Sequence, residues 1–166
     1  QDYDIQKCDI IQISKEIVKA HSKTFFSKKI RINFQTDSLE IQSDPKWLQF
    51  IVNQLVTNSL KYTEPCGEIT ISVLDTPKEK QLVIRDSGIG ISQKDLPRIF
   101  NRGFTGETGR IFTKSTGMGL YLAQQLSNKL GHYISCTSKV REFTQYIIHF
   151  PVDSDPYLLL QKTHEE

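Results

Sequence analysis

Three groups of residues in this chain have the side chains and spacing to do chemistry. The first is Leu82-Val83-Ile84-Arg85-Asp86-Ser87-Gly88-Ile89-Gly90-Ile91, an apolar, β-branched run that ends on a carboxylate and passes through two glycines. The run reads as a buried strand, and Gly-x-Gly as a turn with no side chains to block a ligand. Asp86 then stands at a strand end beside bare backbone, where its carboxylate can accept from an exocyclic amine. An Asp that only caps its own turn fits the same residues. The second group is Gln54, Asn58 and Lys61, spaced i, i+4 and i+7 and so on one face of a helix. That row is either a solvated surface or a site where Asn58 offers a neutral oxygen to a metal and Lys61 reaches a phosphate. The third runs from Arg102 to Thr116, with Gly103, Gly106 and Gly109 among Arg102, Arg110 and Lys114, and closes on Gly117-Met118-Gly119-Leu120. A long aperiodic stretch of this kind is a functional lid or is disordered, and its basic charge suits a cover over an anion. Glycine backbone opening a helix presents free amides and the positive end of the dipole, a seat for phosphate.

The elements that must position these groups follow from periodicity. Ile10, Ile13, Ile17, Val18, His21 and Phe25 predict a helix from Ile10 to about Ser27. Arg31–Gln35 alternates as a strand, with a shorter one at Leu39–Ile41 beside it. Asp44-Pro45 is a helix start, since Asp caps orphan amides and Pro at the first helical position loses nothing. The helix is expected to run to about Tyr62, burying Leu48, Ile51, Val52, Leu55 and Val56. Glu68–Leu74 and Gln81–Asp86 read as a hairpin turned by Thr76-Pro77-Lys78-Glu79, and Gln93–Phe100 as a short helix. The helix opened by Gly119 is expected to reach Leu130 and to be capped by Gly131, followed by a second hairpin of Tyr133–Thr137 and Gln145–Phe150. Residues 1–9 read as a polar linker remnant, residues 10–151 as one domain and residues 152–166 as a frayed tail. Leu158-Leu159-Leu160 in that tail is either loose or a contact with another segment.

A chain of 166 residues with 37% hydrophobic and 24% charged residues is long enough for a core of its own. A net charge of +2 is too small to argue for nucleic acid or a membrane surface. Cys8, Cys66 and Cys136 are single and widely spaced, so free thiols in a reducing compartment are expected rather than a disulfide framework or a zinc site. No run is long and apolar enough to span a bilayer, and the missing initiator Met leads to the expectation of a fragment of a longer protein. Two common nucleotide folds are excluded by spacing. Gly88-Ile89-Gly90 lacks the third glycine of a dinucleotide fingerprint, and no Gly-Lys-Ser/Thr is present for a Walker loop.

What remains is an ordered set: helix amide, strand-end Asp with Gly-x-Gly, basic glycine loop, and a second Gly-x-Gly on a helix. The set resembles the catalytic ATP-binding domain of bacterial sensor histidine kinases, the GHKL or Bergerat-type fold shared with gyrase, certain heat-shock chaperones and MutL. Gln54–Thr63 is similar to the N box, Asp86–Ile91 to the first glycine box, Leu96–Phe100 to the F box and Ser115–Leu120 to the second glycine box. Within that family, Asn101-Arg102-Gly103-Phe104-Thr105-Gly106 resembles Gram-positive kinases that sense cell-wall antibiotics beside an ABC transporter.

The resemblance implies an α+β fold, an α/β sandwich whose mixed, mainly antiparallel sheet is covered on one face by helices. It implies Mg-ATP as the bound nucleotide, with Asn58 a ligand to Mg²⁺ and Lys61 and Tyr62 on phosphate or ribose. Asp86 would accept from the adenine amine, Gly88 and Gly90 would admit the base, and Ile91 would pack near it. Gly117, Met118, Gly119 and Leu120 would frame the phosphates, and Thr144 would support Asp86 through water. Arg98, Arg102, Arg110 and Lys114 are candidates for neutralising the γ-phosphate. Gln54 stands where the family often has Asn, and could serve Mg²⁺ or phosphate through its longer amide. Ser115 stands where Gly is usual and would stiffen the lid hinge. In the hydrolysing relatives a Glu occupies the Gln54 position and activates water; Gln54 has no basic site at neutral pH, so hydrolysis loses its base.

The implied activity is transfer of the γ-phosphate to a histidine on a separate dimerisation domain, with a response regulator downstream. His21, His132, His149 and His164 read as structural or solvated, so no acceptor is expected here. The fragment is expected to be a monomeric cytoplasmic domain of a membrane-anchored parent, without nucleic acid as a partner. The alternatives are an anti-sigma-type serine kinase or regulatory ATP-binding module, and a self-sufficient ATPase.

Overall fold

The structure, a computed structural model, describes residues 3–106 and 117–152. Strand β1 (Gln6–Asp9) leads into helices α1 (Ile10–Ala20) and α2 (Ser22–Lys28), then β2 (Arg31–Phe34) and β3 (Glu40–Ser43). Helix α3 (Pro45–Tyr62) precedes the hairpin β4 (Glu68–Asp75) and β5 (Glu79–Asp86). Helix α4 (Gly119–Lys129) precedes the hairpin β6 (Tyr133–Lys139) and β7 (Phe143–Pro151). The main sheet has five strands in the order β2-β4-β5-β7-β6, with β2 parallel to β4 and every other pair antiparallel. This is the mixed, mainly antiparallel sheet expected.

Strand alternation decides which face is covered. Ile69, Ile71, Leu82, Ile84, Tyr146 and Ile148 are buried together with Leu48, Ile51, Val52, Leu55 and Val56 of α3. On the other face, Val83 and Ile147 are only half-buried and Arg85 is exposed. The main helix thus lies against one side of the sheet, and Asp86 ends β5 on that covered side.

The helix boundaries have local causes. Asp44 caps α3 through Oδ1, which accepts from the amides of Lys46 at 3.0 Å and Trp47 at 3.4 Å, with Pro45 in the first turn. Gly131, at φ 81°, ends α4: its amide donates to Asn128 O and that of His132 to Ser127 O, the paired bonds of a Schellman turn. Both expectations hold.

Four expectations need correction. Gln6–Asp9 lies in the stretch read as linker, yet it pairs antiparallel with Glu40–Ser43 in a separate two-stranded ribbon, and Asp9 caps α1. Of its four residues Gln6, Lys7, Cys8 and Asp9, only Cys8 packs against the core, opposite Ile41, so the strand gives no periodic signal. The helix read as continuous to Ser27 breaks at His21, whose Nε2 lies 2.7 Å from Asn53 Oδ1 on α3. The break leaves Phe25 buried and Phe26 87% exposed. Gln93–Phe100 forms only a 3-10 turn at Leu96–Arg98, because Pro97 has no N–H to continue a helix. The short strand expected at Leu39–Ile41 runs one residue later and farther, over Glu40–Ser43, and pairs with β1 rather than with β2. The tail from residue 153, with Leu158-Leu159-Leu160 and His164, lies outside the described residues.

Candidate functional site

A cavity of about 290 Å³ opens between α3, the end of β5, the loop after it, β7 and the start of α4. Its walls carry Gln54, Asn58, Lys61 and Tyr62 from α3, Asp86, Gly90 and Ile91 from the first glycine motif, Gly117, Gly119 and Leu120 from the second, and Thr144 from β7. Residues up to 90 positions apart in the sequence, each singled out for chemistry, therefore share one space. Gln54, Asn58 and Lys61 of the helical row all line this cavity. Lys61 Nζ lies 5.3 Å from the centre of the Tyr62 ring.

Asp86 is 2% exposed. Its Oδ1 accepts from the Gly88 amide at 2.9 Å, the turn-capping bond that was the plainer reading of this residue, and the carboxyl still faces the cavity. A carboxylate has lone pairs enough to cap the turn and still accept from a group in the cavity. Burial pushes the carboxyl up from 3.8 to about 6; the Gly88 amide, the Ser59 hydroxyl, the Thr144 amide and the Arg85 charge pull the other way. At neutral pH the group is ionised and ready to accept.

Thr144 sits opposite Asp86 in the β5–β7 ladder, and its hydroxyl lies 2.9 Å from Ser138 Oγ. Ser138 also donates to Phe143 O and accepts from the Ile91 amide at 2.7 Å. The loop that follows Asp86 is thereby tied to the β6–β7 hairpin.

The glycines also have a cause within the chain itself. A Cβ on Gly88 would collide with the Tyr62 carbonyl, and one on Gly90, at φ +75°, with the Lys139 carbonyl. Gly88 does not reach the cavity wall, so close packing of the chain on itself, rather than approach of a ligand, requires glycine there. Gly117, at φ +70°, lies against the backbone of Gly103, whose amide donates to Gly117 O at 3.1 Å. Gly119 carries the Gln54 amide oxygen against its Cα. Among the described residues no side-chain capping hydrogen bond is made at the start of α4, whose first residues line the cavity. This suits an anion.

Met118 precedes α4 as its cap residue and is not part of the wall. Arg102 is not brought to the cavity: it lines a neighbouring hollow of about 520 Å³ with Lys94, Arg98 and Asn101, its guanidinium 6.0 Å from the Tyr121 ring. Asp95, Phe104, Thr105 and Gly106 are shared by both spaces. Arg110, Lys114 and Ser115 lie outside the described residues. The histidines read as structural have partners: His149 lies between Glu79 and Ser135, each at 2.7 Å, and His132 Nε2 is 2.7 Å from Ser43 Oγ.

Sequence reasoning passed over Tyr146, Ser59 and Ser138. Tyr146 is fully buried, lines the cavity, and its phenol oxygen accepts from Asn58 Nδ2 at 2.5 Å. The period-two pattern of β7 puts Tyr146 on the same face as Thr144, so a phenol among aliphatic residues was the available signal.

Residues 43–154 match the family described as histidine kinase-, DNA gyrase B- and HSP90-like ATPases. The chain is 42% identical to the sensor protein BceS of Bacillus subtilis (strain 168) over 125 residues, 75% of this chain and 37% of that one. It is 36% identical to the sensor protein kinase GraS of Staphylococcus aureus (strain MRSA252) over 148 residues, 89% of this chain and 40% of that one. It thus spans well under half the length of these two relatives. The catalytic domain of histidine kinase ThkA superposes with a TM-score of 0.77 at 20% identity, covering 89% of this chain and 97% of that domain, which shows the shared fold. With a strand-end carboxylate, an asparagine-bearing helix and a glycine-led helix around one cavity, and a family match over residues 43–154, the chain belongs to the histidine kinase-, DNA gyrase B- and HSP90-like ATPase family.

Proposed function

We propose that this chain is the catalytic domain of a sensor histidine kinase, binding Mg-ATP and passing the γ-phosphate to a histidine on a dimerisation domain of the same parent protein. The observation that carries it is the buried carboxyl of Asp86 sharing one cavity with Asn58, Lys61 and the start of α4. Asp86 would accept from the adenine amine, with Ile91 against the base and Thr144 behind the carboxylate. Lys61 and Tyr62 would meet phosphate or ribose, and Gly117, Gly119 and Leu120 would receive the phosphates at the N-terminal end of α4. Asn58 would hold Mg²⁺ through its amide oxygen, with Gln54 beside it. Among the described residues no three His, Cys, Asp or Glu side chains gather to hold a metal, so the cation would draw its other ligands from phosphate and water. When bound, it supplies charge neutralisation at the phosphates.

The chain's own work is positioning. The acceptor nitrogen's lone pair forms the N–P bond as the bridging oxygen departs with its electron pair in ADP, and the protein holds donor and acceptor in line. Gln54 withholds the base that would let water compete. We propose further that the parent is membrane-anchored, with this domain in the cytoplasm, a response regulator as the next phosphate acceptor and an ABC transporter as a companion. The similarity to the sensor protein BceS and the sensor protein kinase GraS supports a sensor kinase as that parent.

The test supplies a helical hairpin carrying a His-Glu acceptor in trans with radiolabelled ATP. Acid-labile, base-stable label on the histidine is the expected result. Acid-stable label on serine would replace this reading with a serine kinase, and brisk ATP turnover without any acceptor would replace it with an ATPase.

A further inference from the structure

Tyr146 is a phenol fully buried in the middle of β7, paired across the sheet with Ile84 on one side and Cys136 on the other. A hydroxyl in such a place must be satisfied, and Phe would fill the same volume without that demand. Its oxygen accepts from Asn58 Nδ2, reaching from the sheet to the helix that faces it. A phenol is neutral at pH 7, so it keeps both its proton and its accepting lone pairs.

A side-chain amide has a donating end and an accepting end on the same carbon, and rotation by half a turn exchanges them. Only the oxygen end can ligate a hard cation; the nitrogen end would turn two N–H groups toward it. A phenol can hold either end of the amide; in the structure it accepts from Nδ2, which leaves the amide oxygen turned away from the phenol. We infer that Tyr146 is the positioning residue that fixes the Asn58 amide with its oxygen toward the cation. This rests on the reading of Asn58 as a Mg²⁺ ligand.

The experiment measures Mg²⁺ affinity of the nucleotide-bound protein by titration calorimetry, alongside nucleotide affinity in EDTA, for wild type, Tyr146→Phe, Asn58→Ala and the double variant. Tyr146→Phe is expected to weaken Mg²⁺ by roughly three- to tenfold, the worth of one hydrogen bond, and to leave EDTA-state nucleotide affinity within twofold. In the Asn58→Ala background the same substitution is expected to cost no further Mg²⁺ affinity, because there is no amide left to orient. Unchanged Mg²⁺ affinity in Tyr146→Phe, with Asn58→Ala weakened, would overturn the role of Tyr146 alone. A loss that persists without Asn58 would also overturn it, since the phenol would then be acting on the general packing. Unchanged affinity in Asn58→Ala would remove the metal reading itself, a result visible in that single variant.

Discussion

At the scale of single residues, the chain spends stability to keep Asp86 charged. An aspartate whose folded value lies above its unfolded value binds protons more tightly when folded. Its contribution is therefore fully present below pH 3.8 and lost as pH rises through about 6. At neutral pH the ionised, 2%-exposed carboxylate destabilises the free fold by about 3 kcal/mol, at about 1.4 kcal/mol for each factor of ten in proton affinity. Asp86→Asn keeps an oxygen for the Gly88 amide while removing the charge. It should raise the stability of the nucleotide-free protein at pH 7 by about 1–3 kcal/mol in urea melts and abolish measurable ATP binding by calorimetry. A variant that loses both stability and binding would mean that the carboxylate is structural. Position 54 makes the opposite kind of prediction. Gln54→Glu places a base on the cavity wall, and acceptor-independent ATP hydrolysis should rise roughly tenfold or more; no rise would show that water cannot reach the phosphate from that side.

Elements explain why the two glycine motifs are not interchangeable. Gly117 holds φ +70° with its Cα against Gly103 backbone, where nothing can yield, whereas Gly119 faces only the end of the Gln54 side chain. Gly117→Ala is therefore expected to lower the melting temperature clearly, by about 2 kcal/mol of stability or more, and Gly119→Ala by less than about 1 kcal/mol. Equal losses would mean that the α4 N-terminus is held by the glycines as a unit. The same contrast marks what the sequence made legible. The buried stripe of α3, its Asp44-Pro45 start and the Gly131 stop could be read because each depends on residues within a turn of one another. The break at His21 and the pairing of β1 with β3 could not, because each depends on a partner more than 30 positions away, Asn53 in one case and Glu40–Ser43 in the other. At the site, Asp86, Asn58, Lys61 and the helix-opening glycines were visible through spacing. Tyr146 was not, since a tyrosine in a strand reads as core until the atom facing its hydroxyl is known.

The whole molecule balances Asp86 against a second buried ionisable group. His132 is 3% exposed, its ring edge-on to Phe150 at 4.6 Å, with Nε2 2.7 Å from Ser43 Oγ. Burial pushes it down from 6.5 to about 4, so the unfolded chain binds the proton more readily there. Its contribution is present above pH 6.5 and lost as pH falls through about 4, a change of about 3 kcal/mol. Over the same interval Asp86 changes by about as much in the other direction. The two nearly cancel, so together they add little to the pH dependence of folding between pH 4 and 6.5, although each alone is steep. Asp86→Asn removes one side of that balance. Its stability advantage over the wild type should be largest at pH 7 and shrink toward zero near pH 4, while the variant itself loses about 2–3 kcal/mol across that range as His132 charges. Chemical unfolding of both proteins at half-unit pH steps measures it. An advantage that does not change with pH would mean that Asp86 is not charged in the fold, and a variant curve that stays flat would mean that His132 takes up its proton without leaving the core.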